Sequence, residues 1–177
     1  MNLIVKTAPQ TGIITLEDAR KHLVDETFTD EDAKITSLIK GFTKTLESGT
    51  GKRTITQTLE LYFDSWQELE EHKIRQGKIK SDFTLKYLDE NRVENPITEF
   101  VSVGVGTDEG RVVFNSSFTK PDIWGLESVI LTVEVGEDTA PDEVIFILKL
   151  MLSGFWENKD VSGIVDPYIR NNKYRSF

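Results

Sequence analysis

The sequence predicts an α+β protein, because stretches with helical spacing and stretches with strand-like alternation occupy separate parts of the chain. Two helical stretches lie before residue 50, strand-like stretches fill 54–135, and a further helical stretch follows at 141–158. Helices that are separated by a run of strands are typical of an α+β fold with an antiparallel sheet. We therefore expect a small helical bundle of three main helices, an inserted antiparallel β-rich region and an extended C-terminal tail.

The first two helices are predicted from their start signals and from the spacing of apolar side chains. Residues 1–14 are expected to be extended or loose, and Thr15 can then cap a helix over about 16–24. Acidic residues also begin the second helix, which we expect over 30–48. Its apolar side chains recur at helical spacing, at Ile35, Leu38, Ile39, Phe42 and Leu46. Glycines just beyond Ser48 can end this helix with a left-handed backbone.

The middle of the chain changes to a strand pattern. Residues 54–63 are rich in threonine, leucine and aromatic side chains and partly alternate in polarity. Further strand candidates lie at 83–88, 97–105, 111–115 and 128–135. Between the first two candidates, the polar residues 65–78 favour a short surface helix that carries His72. The β-rich insert is therefore expected over about 54–135.

Pro141 begins the third main helix, which we expect over 141–158. Proline is preorganised for the first helical turn, and the acidic residues after it suit the positive end of the helix dipole. The helix is apolar almost all round, so either it is buried in the core or one of its flanks is a subunit interface. Across the helices, the side chains expected in the core are Ile35, Leu38, Phe42, Leu148, Met151 and Phe155.

Residues 161–177 are expected to form a tail outside a domain that spans 1–160. The tail is too short to bury a core of its own, yet it carries aromatic side chains. It has three basic residues against one acidic residue, whereas 97–140 has two basic and eight acidic residues. Two interpretations of this charge pattern stay open: solvated faces that keep the protein soluble, and a basic tail that docks on an acidic body, its own or a neighbour's.

The composition excludes several classes of site. The 177 residues include no cysteine and only two histidines, so thiolate metal sites, iron–sulfur clusters and multi-histidine metal sites are excluded. The net charge of −9 argues against tight non-specific binding to nucleic acid or to an anionic membrane. No apolar run approaches the ~20 residues of a membrane span. The glycines at 49–51 and 104–110 lack the spacing of phosphate-binding and dinucleotide-binding loops, and we expect no enzyme, no metal and no cofactor.

Motifs in the two halves of the chain occur in a specific order. In the first half, a Leu-Glu-Asp-Ala-Arg-Lys-His-Leu helix at 16–23 precedes an acid-started helix from Glu31 and a Glu-Ser-Gly-Thr-Gly-Lys exit at 47–52. In the second half, residues 133–143 lead into a helix that ends Gly-Phe-Trp-Glu-Asn-Lys, and Asp-Pro-Tyr-Ile-Arg follows at 166–170. Together these blocks resemble the head–tail connector proteins of long-tailed bacteriophages, also called head-completion or adaptor proteins.

The resemblance implies a structural virion protein. Such a protein forms a homo-oligomeric ring under the portal protein, completes the head and meets a downstream adaptor or tail-completion protein. DNA is expected to pass through the channel of the ring without specific binding, and no membrane is involved. The resemblance further implies assembly in the host bacterial cytoplasm and a final place at the head–tail interface of the virion. The candidate contacts with a neighbouring subunit or the portal are Trp156, Pro167, Tyr168, Arg170, Tyr174 and Arg175.

Two interpretations from other classes stay open beside this one. The first is a small cytosolic ligand-binding or regulatory module with a pocket near Trp66 or Trp124. The second is a hydrolase whose paired carboxylates the sequence does not single out. The oligomeric state separates these alternatives, because a ring favours the connector and a firm monomer with a deep polar pocket favours the module.

Overall fold

The computed structural model describes residues 1–10, 12–23 and 31–173, which divide between two compact units. The first unit consists of Met1–Ala8 and Thr56–Gly136, and the second consists of Pro9–Ile55 and Glu137–Phe177. The boundary expected at residue 160 does not coincide with a boundary between these units. In chain order the elements are β1 (Asn2–Thr7), α1 (Leu16–Leu23), α2 (Asp32–Thr50), β2 (Gln57–Phe63), α3 (Trp66–Glu71), β3 (Thr84–Leu88), β4 (Glu94–Ile97), β5 (Phe100–Val103), β6 (Arg111–Phe114), β7 (Val129–Val135), α4 (Asp142–Trp156) and α5 (Ser162–Asn172).

The first unit is built on an antiparallel sheet with the strand order β1-β2-β7-β3-β4, and β5 and β6 form a separate two-stranded ribbon. Side chains alternate across β2, where every second residue from Gln57 to Phe63 is buried. The register places Leu59 opposite Val133 and Leu61 opposite Leu131 on β7, so both strands turn apolar side chains to one face. Each such side chain stabilises the unit by about 1.5–3 kcal/mol through its removal from water.

Three details of the β-rich region differ from the sequence expectations. Residues 1–14 include the edge strand β1, which pairs with β2. The strand candidate at 97–105 is divided, because Ile97 pairs in the main sheet and Phe100 pairs with Phe114 in the ribbon. The surface helix expected over 65–78 spans only α3. It ends there because Ile74 exchanges backbone hydrogen bonds with Gly110 instead of continuing the helix.

The second unit contains α1, α2, α4 and α5. The three predicted main helices are present, over 16–23, 32–50 and 142–156, and residues 24 and 30 of the expected ranges lie outside the described residues. Helix α2 ends at Gly51, whose left-handed backbone lets its N–H donate to the Glu47 carbonyl at 2.9 Å. Helices α1, α2 and α4 contact one another, and α5 contacts α2. The α+β class is confirmed, with the sheet and α3 in the first unit and the other four helices in the second.

The core expectations for the helices hold at three positions and fail at one. Ile35, Leu148 and Met151 are buried, whereas Leu38 and Phe42 are half-buried. Phe155 was expected in the core, but 55% of its surface is exposed. It follows Met151 and Leu148 on the same face of α4, yet it lies in the last turn, where the Phe42 ring packs against it edge-on at 6.3 Å. Phe146, early in the same helix, is also exposed, so α4 is not buried all round.

The C-terminal segment is not the extended tail that the sequence predicted, because residues 162–172 form α5. Val165 is buried, and Tyr168 and Ile169 follow it at helical spacing on the same face. The lack of a side chain at Gly49 on α2 allows this close approach, since a Cβ there would lie 2.8 Å from a methyl group of Ile169. Apolar docking on α2 therefore explains why this segment is helical.

Candidate assembly surfaces

The C-terminal end of α4 carries the first candidate contact, Trp156. Its indole is half-buried in the core of the second unit, and the Lys34 ammonium group of α2 lies 4.7 Å from the ring centroid. The neighbouring Phe155 ring is exposed beside Phe42. This end of the helix therefore combines an anchored tryptophan with an exposed phenylalanine, a combination typical of the centre of protein interfaces.

The candidate contact residues of α5 lie on two different faces of the helix. Tyr168 lies on the inner face, where burial raises the pKa of its phenol and the nearby Glu143 carboxylate raises it further. Pro167 and Arg170 are exposed on the outer side, together with Ile164. The outer side of α5 therefore presents an apolar side chain and a cation to the surroundings.

The structure thus divides the six predicted contact residues. Trp156 and Tyr168 are partly buried in the second unit and can act as fixed supports, whereas Pro167 and Arg170 are free to touch another molecule. Tyr174 and Arg175 lie outside the described residues. Phe146 and Ile164 are surface residues that the sequence does not reveal, because an apolar side chain at helical spacing predicts a core position equally well.

The first unit also exposes apolar side chains that the sequence did not assign to a surface. Val101 and Val113 are exposed directly opposite each other on the β5–β6 ribbon, and Trp124 and Leu126 are exposed in the loop before β7. Of the two tryptophans weighed as pocket residues, Trp66 is buried and its indole N–H donates to the Pro121 carbonyl at 2.9 Å. Only Trp124 of this pair is available at the surface.

Both histidines make contacts within the fold. The His22 Nε2 atom lies 2.7 Å from the Ser153 hydroxyl and 3.1 Å from the Lys149 carbonyl, which ties α1 to α4. Burial lowers the pKa of His72, whose ring packs against Phe63 with centroids 5.3 Å apart. Within the described residues, no group of three or more histidine, aspartate or glutamate side chains is placed to hold a metal ion. None of the helices in these residues is both long and apolar enough to cross a membrane.

The segment Gly49–Lys52, weighed above as a phosphate loop, closes α2 instead of opening a helix. The Thr50 side chain is buried and its hydroxyl donates to the Leu46 carbonyl at 2.7 Å. A phosphate-binding loop presents free backbone N–H groups at a helix start, whereas here the Gly51 N–H is used to end a helix. The geometry of this segment is that of a helix C-cap.

Comparison with known proteins identifies the fold through solved structures. No protein-family model matches the chain, and no curated protein matches it. A chain in the neck of an empty gene transfer agent (GTA) particle, computed with C6 symmetry, matches with a TM-score of 0.80 at 18% identity, covering 100% of this chain and 97% of that chain. A chain of the virion of the native GTA particle matches with a TM-score of 0.78 at 18% identity. A chain in the neck of the native particle, computed with C12 symmetry, gives 0.75 at 16% identity. Over its whole length, the protein therefore has the fold of a chain found in the neck of a phage-like particle.

Proposed function

We propose that this protein is a structural subunit of the neck of a tailed, phage-like particle. In this role it forms a homo-oligomeric ring under the portal protein, completes the head and connects it to a downstream adaptor or tail-completion protein. The observation that carries the proposal is the match in fold over the whole chain to neck chains in structures computed with C6 and C12 symmetry. The proposed role is structural and includes no catalytic step, metal or cofactor.

The surfaces of the second unit support a ring. A ring of identical subunits needs two different patches on each subunit, so that one subunit's patch meets the other patch of its neighbour. The exposed side of α5, with Ile164 and Arg170, is one such patch, and the end of α4 at Phe155 is another. We assign the six candidate residues to contacts with a neighbouring subunit or the portal, with Trp156 and Tyr168 as supports.

The charge of the chain supports passage of DNA without binding. The net charge is −9, and residues 97–140 alone have eight acidic and two basic residues. An acidic surface repels the phosphate backbone, so a channel wall of this composition does not retain DNA. In the proposed role the protein assembles in the host bacterial cytoplasm and stays in the virion at the head–tail interface.

The proposal is tested by the mass and shape of the assembled protein. Multi-angle light scattering over a range of concentrations and negative-stain electron microscopy are applied to the purified chain, alone and mixed with purified portal rings. We expect closed rings in at least one of these two samples. A chain that remains a monomer in both samples contradicts the proposal.

A further inference from the structure

Two adjoining loops of the first unit expose an apolar surface that we call the Trp124 patch, formed by Val93, Trp124 and Leu126. The exposed fractions of these side chains are 55%, 48% and 77%. Val93 ends the turn between β3 and β4, and the other two lie in the loop before β7. Exposure of tryptophan with aliphatic neighbours is unusual for a surface that stays in water and is typical of the centre of a binding site.

Hydrogen bonds fix the two loops that carry the patch. The Trp124 backbone N–H donates to the Leu88 carbonyl at 3.0 Å, which ties its loop to the end of β3, where the other loop begins. The Gly125 N–H donates to the Ser128 hydroxyl at 2.9 Å. In the other loop, the Asp89 carboxylate accepts the Val93 N–H at 3.0 Å. The patch therefore loses little conformational freedom when a partner binds, which favours affinity.

Two residues beside the patch have a left-handed backbone conformation that residues other than glycine rarely adopt. Arg92 and Glu127, one in each loop, have φ values of 63° and 56° without being glycine. The Arg92 guanidinium group stacks on the Trp124 ring at 4.1 Å from its centroid. The Glu127 N–H donates to the Asp64 carboxylate at 2.8 Å. Strained residues of this kind are concentrated at binding sites.

The charge around the patch determines the chemistry of its partner. The loop residues 89–93 and 121–128 include one basic side chain, Arg92, and four acidic ones, Asp89, Glu90, Asp122 and Glu127. The hydrogen bonds that Asp89 accepts lower the pKa of its carboxyl, so it stays charged in neutral solution. This rim repels nucleic acid and also repels a second copy of the same patch.

We propose that the Trp124 patch docks another protein, which presents an aliphatic or aromatic side chain flanked by lysine or arginine. The proposal rests on the proposed neck function in one respect, which is that the partner is an adjoining component of the same particle. We assign the patch to a different protein and not to a second copy of this chain. The exposed cation of α5, Arg170, could complement the acidic rim in a neighbouring copy, but it is already assigned to the contact with a neighbouring subunit or the portal. The partner's cations complement the acidic rim, and its apolar side chain covers Trp124 and Leu126.

The test selects partners from a random peptide library displayed on phage, with the full-length protein immobilised as the target. We expect the selected peptides to combine an aromatic or aliphatic residue with lysine or arginine. Their affinity is expected to fall by about tenfold or more for Leu126→Glu and for Trp124→Ala. Val101→Glu, at another exposed apolar position of the same unit, is the matched control and is expected to bind the peptides like the wild type. Circular dichroism checks that each variant is folded.

Three results would overturn the proposal. The first is a selection that enriches no basic and apolar peptides, and the second is equal binding of the peptides to Leu126→Glu and to the wild type. The third is loss of ring formation in Leu126→Glu, which would assign the patch to a second copy of the chain. Each of these leaves the proposed neck function standing. A different result would contradict the proposed neck function: a wild-type chain that forms no ring, either alone or on portal rings.

Discussion

At Gly104 the backbone limits which side chain the turn after β5 accepts. Its φ of +94° lies in the left-handed region, and a Cβ there would collide with the Glu109 carbonyl oxygen. Gly106 has a similar φ of +83°, but a Cβ there would meet nothing within 4 Å. A comparison of alanine substitutions at the two glycines therefore distinguishes the free-energy cost of a strained backbone from that of a steric collision.

Substitution of these glycines is expected to have unequal effects. Gly106→Ala should lower the free energy of unfolding by ~1 kcal/mol, through backbone strain alone. Gly104→Ala should lower it by ~2–3 kcal/mol or more, because the turn must also move away from the Glu109 carbonyl. Urea unfolding followed by tryptophan fluorescence measures both values. Equal losses for the two variants would show that the close approach at Gly104 does not constrain the turn.

Leu148 and Phe155 provide a second residue pair, on one face of α4. Leu148 is fully buried, so Leu148→Ala should lower the free energy of unfolding by ~2–5 kcal/mol through the cavity that it leaves. Phe155→Ala removes a side chain that is mostly exposed, and we expect a loss below ~1 kcal/mol. Chemical denaturation of both variants tests this order. A loss below ~1 kcal/mol for Leu148→Ala would mean that the inner face of α4 is wrongly assigned.

His72 is expected to make the stability of the first unit depend on pH. Burial lowers the pKa of its imidazole below 6.5, and its Nε2 atom has no hydrogen-bond partner among the described residues. Below pH 6.5 the unfolded chain therefore binds a proton that the folded chain resists, so stability falls as the pH is lowered. Thermal unfolding between neutral and mildly acidic pH should show this fall in the wild type and a smaller fall in His72→Phe. Identical pH profiles would exclude His72 as the cause.

At the scale of elements, helices α1, α2 and α4 of the second unit were predictable, whereas α5 and several β elements were not. A capped start and regular apolar spacing encode α1, α2 and α4 locally, so their bounds agree with the prediction to within about two residues. Strand β1 was not identified as a strand, because it is stabilised by pairing with β2, more than fifty residues away in the chain. Helix α5 was missed because Pro167 argues against a helix, whereas docking of Val165 and Ile169 on α2 favours one.

The two faces of α5 should respond differently to substitution. Val165→Ala is expected to lower the stability of the second unit by ~1–2 kcal/mol, because Val165 is buried against the helices. Arg170→Glu should leave the free energy of unfolding unchanged and weaken ring assembly, because Arg170 is exposed. High salt should also weaken assembly of the wild type, because it screens the same charge. Thermal unfolding and light scattering distinguish the two effects, and Arg111→Glu on the ribbon is the matched charge-reversal control. Normal assembly of Arg170→Glu would remove α5 from the proposed contacts.

At the scale of the whole molecule, the chain passes between its two units at residues 8/9, 55/56 and 136/137. Each unit is therefore assembled from segments that are distant in sequence, and local patterns do not reveal such an arrangement. The candidate contacts were predicted only as a group of residues, since spacing alone does not tell an exposed apolar side chain from a buried one. The structure distinguishes the half-buried Trp156 and Tyr168 from the exposed Pro167 and Arg170. It also adds the Trp124 patch, which lies in two loops without periodicity.

We propose that this chain is a ring subunit of a particle neck, and electron microscopy of the purified protein, alone and on portal rings, tests this role most directly. We expect a closed ring with rotational symmetry, in which the exposed side of α5 and the end of α4 lie at contacts between neighbouring subunits or with the portal. Phe155→Glu and Arg170→Glu should each reduce the fraction of closed rings. Monomers in both samples would contradict the proposed role as a ring subunit, and a closed ring in which both surfaces face solvent would contradict the proposed contacts.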